Sequence, residues 1–76
     1  MTTARRLIDR LRIERKRQGI RQTELAARIG ISQGDISRME RREDQLLSSF
    51  LRMSHALGFQ VVLQPIKQNK DQEKDD

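Results

Sequence analysis

The chain contains no cysteine and a single histidine, and none of its hydrophobic runs approaches the roughly 20 residues that a bilayer-spanning helix needs. The first absence removes disulfides, thiolate metal sites and thiol catalysis at once. The last removes a membrane helix, and the opening MTTARRLIDRLR, whose apolar residues are broken by charges, does not read as an apolar signal segment. The expectation is a soluble, cytoplasmic protein. His55 stands alone, and Glu24, Asp35 and Glu40 show neither metal-ligand spacing nor a partner base, so no enzyme activity, metal or cofactor is expected. His55 itself reads as a partly exposed helix residue or a dimer contact. With 76 residues there is room for one small domain whose thin core a second subunit would help to cover.

What the chain does have is positive charge, unevenly placed. Of its sixteen Lys and Arg residues fourteen precede Gln68, as do seven of its eleven acidic residues, so the first 67 residues carry a formal +7 and the remainder −2. A compact domain this basic attracts polyanions over long range and by release of condensed counterions. Twelve of the sixteen are Arg, whose planar fork suits phosphate oxygens and guanine edges. Ordinary solvated helix charges are the plain alternative, and a second signal weighs against it.

That signal is QTELAARIGISQGDISRMER, residues 22–41. Leu25, Ala26 and Ile29 share one face of a first short helix, Gln22 to Ile29, while Ile36 and Met39 share one face of a second, Ser32 to Arg41. Gly30 can end the first in the left-handed conformation without steric cost, and Ser32 can cap the second. Two short helices around one tight turn predict a helix-turn-helix, whose second helix is the one offered to a DNA major groove.

Around this unit, Thr3 caps a helix expected to run to about Gln18 with Leu7, Ile8 and Leu11 as its apolar stripe. A charged connector, Arg41 to Gln45, leads to a helix from near Leu46 to Gly58, in which Leu47, Phe50, Leu51, Ser54 and Leu57 recur at three- and four-residue spacing. Leu25, Ile29, Ile31, Ile36, Met39, Phe50 and Leu57 are expected in the core. After Gly58 the period changes. Phe59, Val61 and Leu63 alternate with Gln60, Val62 and Gln64 before Pro65, which predicts a short strand. Nothing else in the chain reads as a strand able to pair with it, so its partner would be the same strand of a second copy across a two-fold axis, with Phe59, Val61, Val62 and Leu63 as dimerisation residues. The alternative is an extended segment lying on its own helical core. Gln68 to Asp76 has no apolar residue and is expected to be disordered. The organisation expected is thus a DNA-binding domain over 1–58, a dimerisation strand over 59–66 and a polar tail over 67–76. No internal repeat is present.

From Arg15 to Leu57 the chain resembles the lambda-repressor and Cro-like helix-turn-helix family, often called the Xre family. The resemblance is carried by Gln22, Glu24-Leu25-Ala26, Ile29-Gly30-Ile31, Ser32-Gln33 and Ile36-Ser37-Arg38-Met39-Glu40. It implies a mostly α fold of four to five helices, and the helix ending at Gly58 followed by a short strand is most similar to HipB-type antitoxins. Those are small homodimers whose last strands pair, and they repress an operon that also encodes a HipA-type kinase toxin. By that resemblance the chain would be a sequence-specific repressor of double-stranded DNA with a palindromic operator and a HipA-type kinase toxin as partner. An autonomous or prophage repressor without a toxin, and a toxin-sequestering module with secondary DNA binding, are the alternatives.

The resemblance also places the amino-terminal half of the second motif helix in the groove and the start of the first against the backbone. Gln33 is then the first choice for base readout, since an amide both donates to and accepts from an adenine edge. Arg38 would reach guanine O6 and N7 or an adjacent phosphate, Ser37 offers a short hydroxyl, and Gly34 permits close approach of the backbone. Gln22 and Thr23, at the first free N–H groups of their helix, are the expected phosphate contacts. Ser32 offers a hydroxyl to phosphate as well, although capping already accounts for it. Arg41 and Arg42 would reach the backbone on the other flank or remain solvated. Asp35 departs from the neutral polar residue usual at its position: a carboxylate near phosphates is repelled unless it accepts from cytosine N4 or pairs with a neighbouring Arg, and it weakens non-specific binding either way. In several members of the family an Arg of the first helix pairs with a Glu ending the third, which implies a structural ion pair between Arg15 and Glu40.

Overall fold

The computed structural model describes residues 2–67. Four helices account for the regular structure: α1 (Ala4–Arg17), α2 (Gln22–Ile29), α3 (Gln33–Arg41) and α4 (Leu47–Ala56). Thr3 is the N-cap of α1, its hydroxyl accepting from the Arg6 amide at 3.1 Å. Three basic residues, Arg15, Lys16 and Arg17, occupy its last turn, where they complement the helix dipole. α2 packs against both α3 and α4, and α1 closes over α3.

The core lies where these faces meet. Ile8 and Leu11 from α1, Ile20, Leu25, Ala26 and Ile29 around α2, Ile36 from α3, and Phe50, Met53 and Leu57 from the α4 region form one buried cluster. Leu25 and Ile36 are fully enclosed, and burying each side chain is worth about 1.5 to 3 kcal/mol. Ile31 and Met39, expected inside, are only partly buried against the cluster. Gln18 donates to the Leu57 carbonyl at 2.8 Å and so joins the ends of α1 and α4. Glu14 is buried but satisfied, by Arg10 Nε at 3.0 Å and Arg17 Nη1 at 3.4 Å.

Three expectations need correction. The buried stripe of α4 is Phe50, Met53, Ser54 and Leu57, which turns Leu47 and Leu51 to the edge of the helix and leaves them exposed; Leu7 is likewise exposed on α1. A three-and-four spacing fits two adjacent stripes equally well, and packing against α2 selects one. No strand is present among the described residues: 59–66 is neither helix nor strand, for the physical reason that a ladder needs a second strand and the single chain supplies none. Phe59 instead packs against its own helical core, with the Arg10 guanidinium 5.5 Å from its ring centroid, while Val61, Val62 and Leu63 face outward. The tail expected beyond Lys67 lies outside the described residues. Among those described, no helix is long and apolar enough to cross a membrane.

Candidate nucleic-acid interface

The turn between α2 and α3 is built by two residues. Gly30 takes φ 75° and ψ 32°, its N–H donating to the Ala26 carbonyl, in a conformation that costs a side-chain-bearing residue about 1 to 2 kcal/mol. Ser32 then opens α3 with a capping box. Its hydroxyl accepts from the Asp35 amide at 3.1 Å, and the Asp35 carboxylate accepts from the Ser32 amide at 3.3 Å. Ser32 is therefore the cap of α3.

α3 is also anchored from below. Arg15, buried, donates through Nε to Glu40 Oε2 at 2.6 Å and through Nη2 to Oε1 at 3.1 Å, and its third contact, Nη1 to the Ile20 carbonyl at 2.8 Å, holds the turn before α2. The implied ion pair is thus present and enclosed, with Arg12 Nε 3.9 Å from the same carboxylate. Glu40 Oε1 further accepts from Gln22 Nε2 at 3.0 Å, and Gln22 Oε1 accepts from Gln33 Nε2 at 2.5 Å. A continuous chain of hydrogen bonds runs from buried Arg15 to exposed Gln33. It fixes the Gln33 amide while leaving its oxygen and second N–H for an outside partner.

Gln33, Ser37 and Arg41 recur every fourth residue on one side of α3, and Gly34 and Arg38 lie alongside them, so the structure brings the predicted base-contact residues together. Ser37 is half-buried and lines a cleft of about 570 Å³ with Arg5, Arg12, Gln22, Glu40 and Arg41. Thr23 is exposed in the first turn of α2, a turn that no side chain caps. Arg41 and Arg42 are both exposed at the far end of α3. Arg38 is not extended outward: it donates to Asp35. The hydroxyl and amide of Ser32, and then Arg38, hold the Asp35 carboxyl below its ordinary value.

Two residues that hold α3 escape a reading of the sequence. Arg5 donates to the Glu40 carbonyl at 2.7 Å and the Arg41 carbonyl at 3.2 Å while Nε is steadied by Asp9 at 3.1 Å. Gln45 donates to the Met39 carbonyl at 3.0 Å. Both satisfy carbonyls left without partners at the C-terminus of a helix. Among many basic residues on α1, nothing local in the sequence distinguishes Arg5. Arg52 does the same for α2 by donating to the Ile29 carbonyl.

Among the described residues no group of His, Cys, Asp and Glu could hold a metal. A scan against family models matches helix-turn-helix HTH_3 over residues 11–61, a span that includes all of α2, α3, α4 and the anchor Arg15. No curated protein and no solved structure shows a significant match. Because the match covers more than half of the chain and coincides with the capped turn and anchored helix, this chain belongs to the HTH_3 helix-turn-helix family, whose domains bind DNA and regulate transcription.

Proposed function

We propose that the chain is a sequence-specific transcriptional repressor that works as a homodimer on a palindromic operator, with Gln33 as its principal base reader. The observation that carries this is the hydrogen-bonded series from Arg15 through Glu40 and Gln22 to Gln33. A side chain at the first turn of α3 that is exposed yet oriented from the core has lost its freedom before any ligand arrives, which lowers the ordering cost of binding. The open first turn of α2, with Gln22 and Thr23, supports a phosphate contact, and Arg41 and Arg42 support a second on the opposite flank. The outward Val61, Val62 and Leu63 support pairing with a second copy, which would set two recognition helices about 34 to 36 Å apart.

The particular role is the antitoxin of a HipBA-like operon, which binds a kinase toxin and represses its own promoter. Its support is a four-helix array followed at once by an apolar, unpaired segment. A kinase reading frame beside the gene, and its co-purification with this chain, are the expected findings. An unlinked gene would make the protein an autonomous repressor instead. Replacing Gln33→Ala should cost about 1 to 3 kcal/mol on the specific site, confined to one or two base pairs, with non-specific affinity almost unchanged. Equal losses on specific and random DNA would show that Gln33 touches only phosphate.

A further inference from the structure

We propose that Asp35 is a positioning residue of the DNA-reading face: it draws the Arg38 guanidinium back across Gly34 toward the first turn of α3, making Arg38 a base reader beside Gln33 instead of a phosphate contact. The inference rests on the DNA-binding reading of α3 and assigns a task to the acidic residue that reading leaves unexplained.

The carboxylate is fixed from two sides. One oxygen accepts from the Ser32 amide at 3.3 Å and the other from Arg38, while the Asp35 amide is held by the Ser32 hydroxyl at 3.1 Å. Asp35 therefore cannot follow Arg38 outward; Arg38 comes to it. The guanidinium lies over Gly34, where an added Cβ would stand 3.7 Å from Nη1. That is an ordinary van der Waals distance, so the guanidinium packs on this part of the helix surface. Both side chains stay about half exposed, so the pair is screened and contributes little to stability. Its consequence is geometric.

An arginine carries five N–H donors in a fixed fork, and the carboxylate engages one edge of it. The remaining donors lie over Gly34, in the first turn of α3, which is the end of the helix that enters the groove in the DNA-binding reading. Arg41 and Arg42 at the helix C-terminus supply positive charge to the flank. Hydrogen bonds from Ser32, and then Arg38, hold the Asp35 carboxyl below its ordinary value. A carboxylate on a DNA-facing helix repels phosphate, so its placement also opposes binding that lacks the base contact.

The full chain tests this by selection from a random duplex library followed by titration of single-base variants at several salt concentrations. Failure of the natural chain to enrich any sequence would overturn the DNA-binding reading itself. Given enrichment, Arg38→Ala should abolish discrimination at one base pair next to the Gln33-dependent position, roughly tenfold or more in the natural chain. Asp35→Ala should reduce the same discrimination to within about threefold and steepen the salt dependence by about one ion as Arg38 turns to phosphate. The double variant should match Arg38→Ala. Asp35→Asn, which retains an acceptor for the Ser32 amide, should lower the melting temperature less than Asp35→Ala yet lose the discrimination as fully, separating positioning from capping. Uniformly tighter binding of Asp35→Ala to all sequences, with base preferences intact, would overturn the proposal.

Discussion

The two ends of this small domain are finished to different degrees. Around α3 the start, the end and the base are each held by polar side chains: Ser32 and Asp35 cap the start, Arg5 and Gln45 Nε2 occupy the terminal carbonyls, and Arg15, Glu40, Gln22 and Gln33 share one network, with the buried Gln45 Oε1 left without a partner. After Gly58 the reverse holds. Phe59 reaches the core, but Val61, Val62 and Leu63 are exposed by 44%, 59% and 97%. A surface ordered in advance suits recognition of a rigid duplex, whereas exposed apolar residues without a backbone partner suit completion by another chain. Under the proposed function, the difference divides the work: specificity would rest on polar groups settled within one protomer, and assembly on apolar groups left open.

The sharpest way to break the contrast is to remove the anchor of the finished side. Glu40→Ala leaves the buried Arg15 cation without its carboxylate and Gln22 without its acceptor, and should cost about 3 to 5 kcal/mol in chemical denaturation. That is a large part of the total stability of a domain this small, commonly about 5 to 15 kcal/mol. Replacing both partners, Arg15→Met with Glu40→Leu, should recover most of the loss, because neither charge then remains buried. The recovered protein should still read its operator poorly, since Gln22 and Gln33 would have lost their support. Full discrimination in that double variant would show the network to be structural only.

The open side is tested by charge. Val61→Asp with Leu63→Asp should alter the stability of the isolated protomer by no more than about 0.5 kcal/mol, because both residues are exposed there. Sedimentation should nevertheless show half the mass of the natural chain, and affinity for a palindrome should fall about 100-fold as the second half-site ceases to be an intramolecular event. An unchanged mass would place any dimer contact elsewhere, with the exposed Leu46, Leu47 and Leu51 the next surface to alter.

The same asymmetry decides how much of the molecule could be read in advance. α2, the turn and α3 were legible to within a residue because their signals are local: a glycine at a left-handed position, a capping serine, an apolar pair four residues apart. The Arg15 and Glu40 pair was reached only through resemblance, since 25 residues separate them and charge alone does not specify partners. Leu47 and Leu51 were misplaced because periodicity fixes a helix but not which of two neighbouring stripes meets the core. Arg5 and Gln45 were invisible, since capping across helices depends on tertiary placement. The region after Gly58 was read by its alternation, a pattern that describes a strand only once a partner strand exists.

The smallest expected effect refines the comparison within α3 itself. Ser32→Ala removes the side-chain half of the capping box and should cost about 1 kcal/mol at neutral pH. Part of that cost is linked to protonation. The folded chain holds the Asp35 carboxyl below its ordinary value of 3.8, chiefly through Ser32, so its contribution is fully present above that value and is lost as pH falls through the lowered one. The stability difference between the natural chain and Ser32→Ala should therefore be flat from pH 7 to about 5 and shrink below pH 4, measured by thermal denaturation of the two side by side. A difference that stayed constant to pH 2 would mean that the serine acts on the helix amide alone. In that case the Asp35 carboxylate would be held chiefly by Arg38, and Arg38→Ala in place of Ser32→Ala should remove the pH dependence.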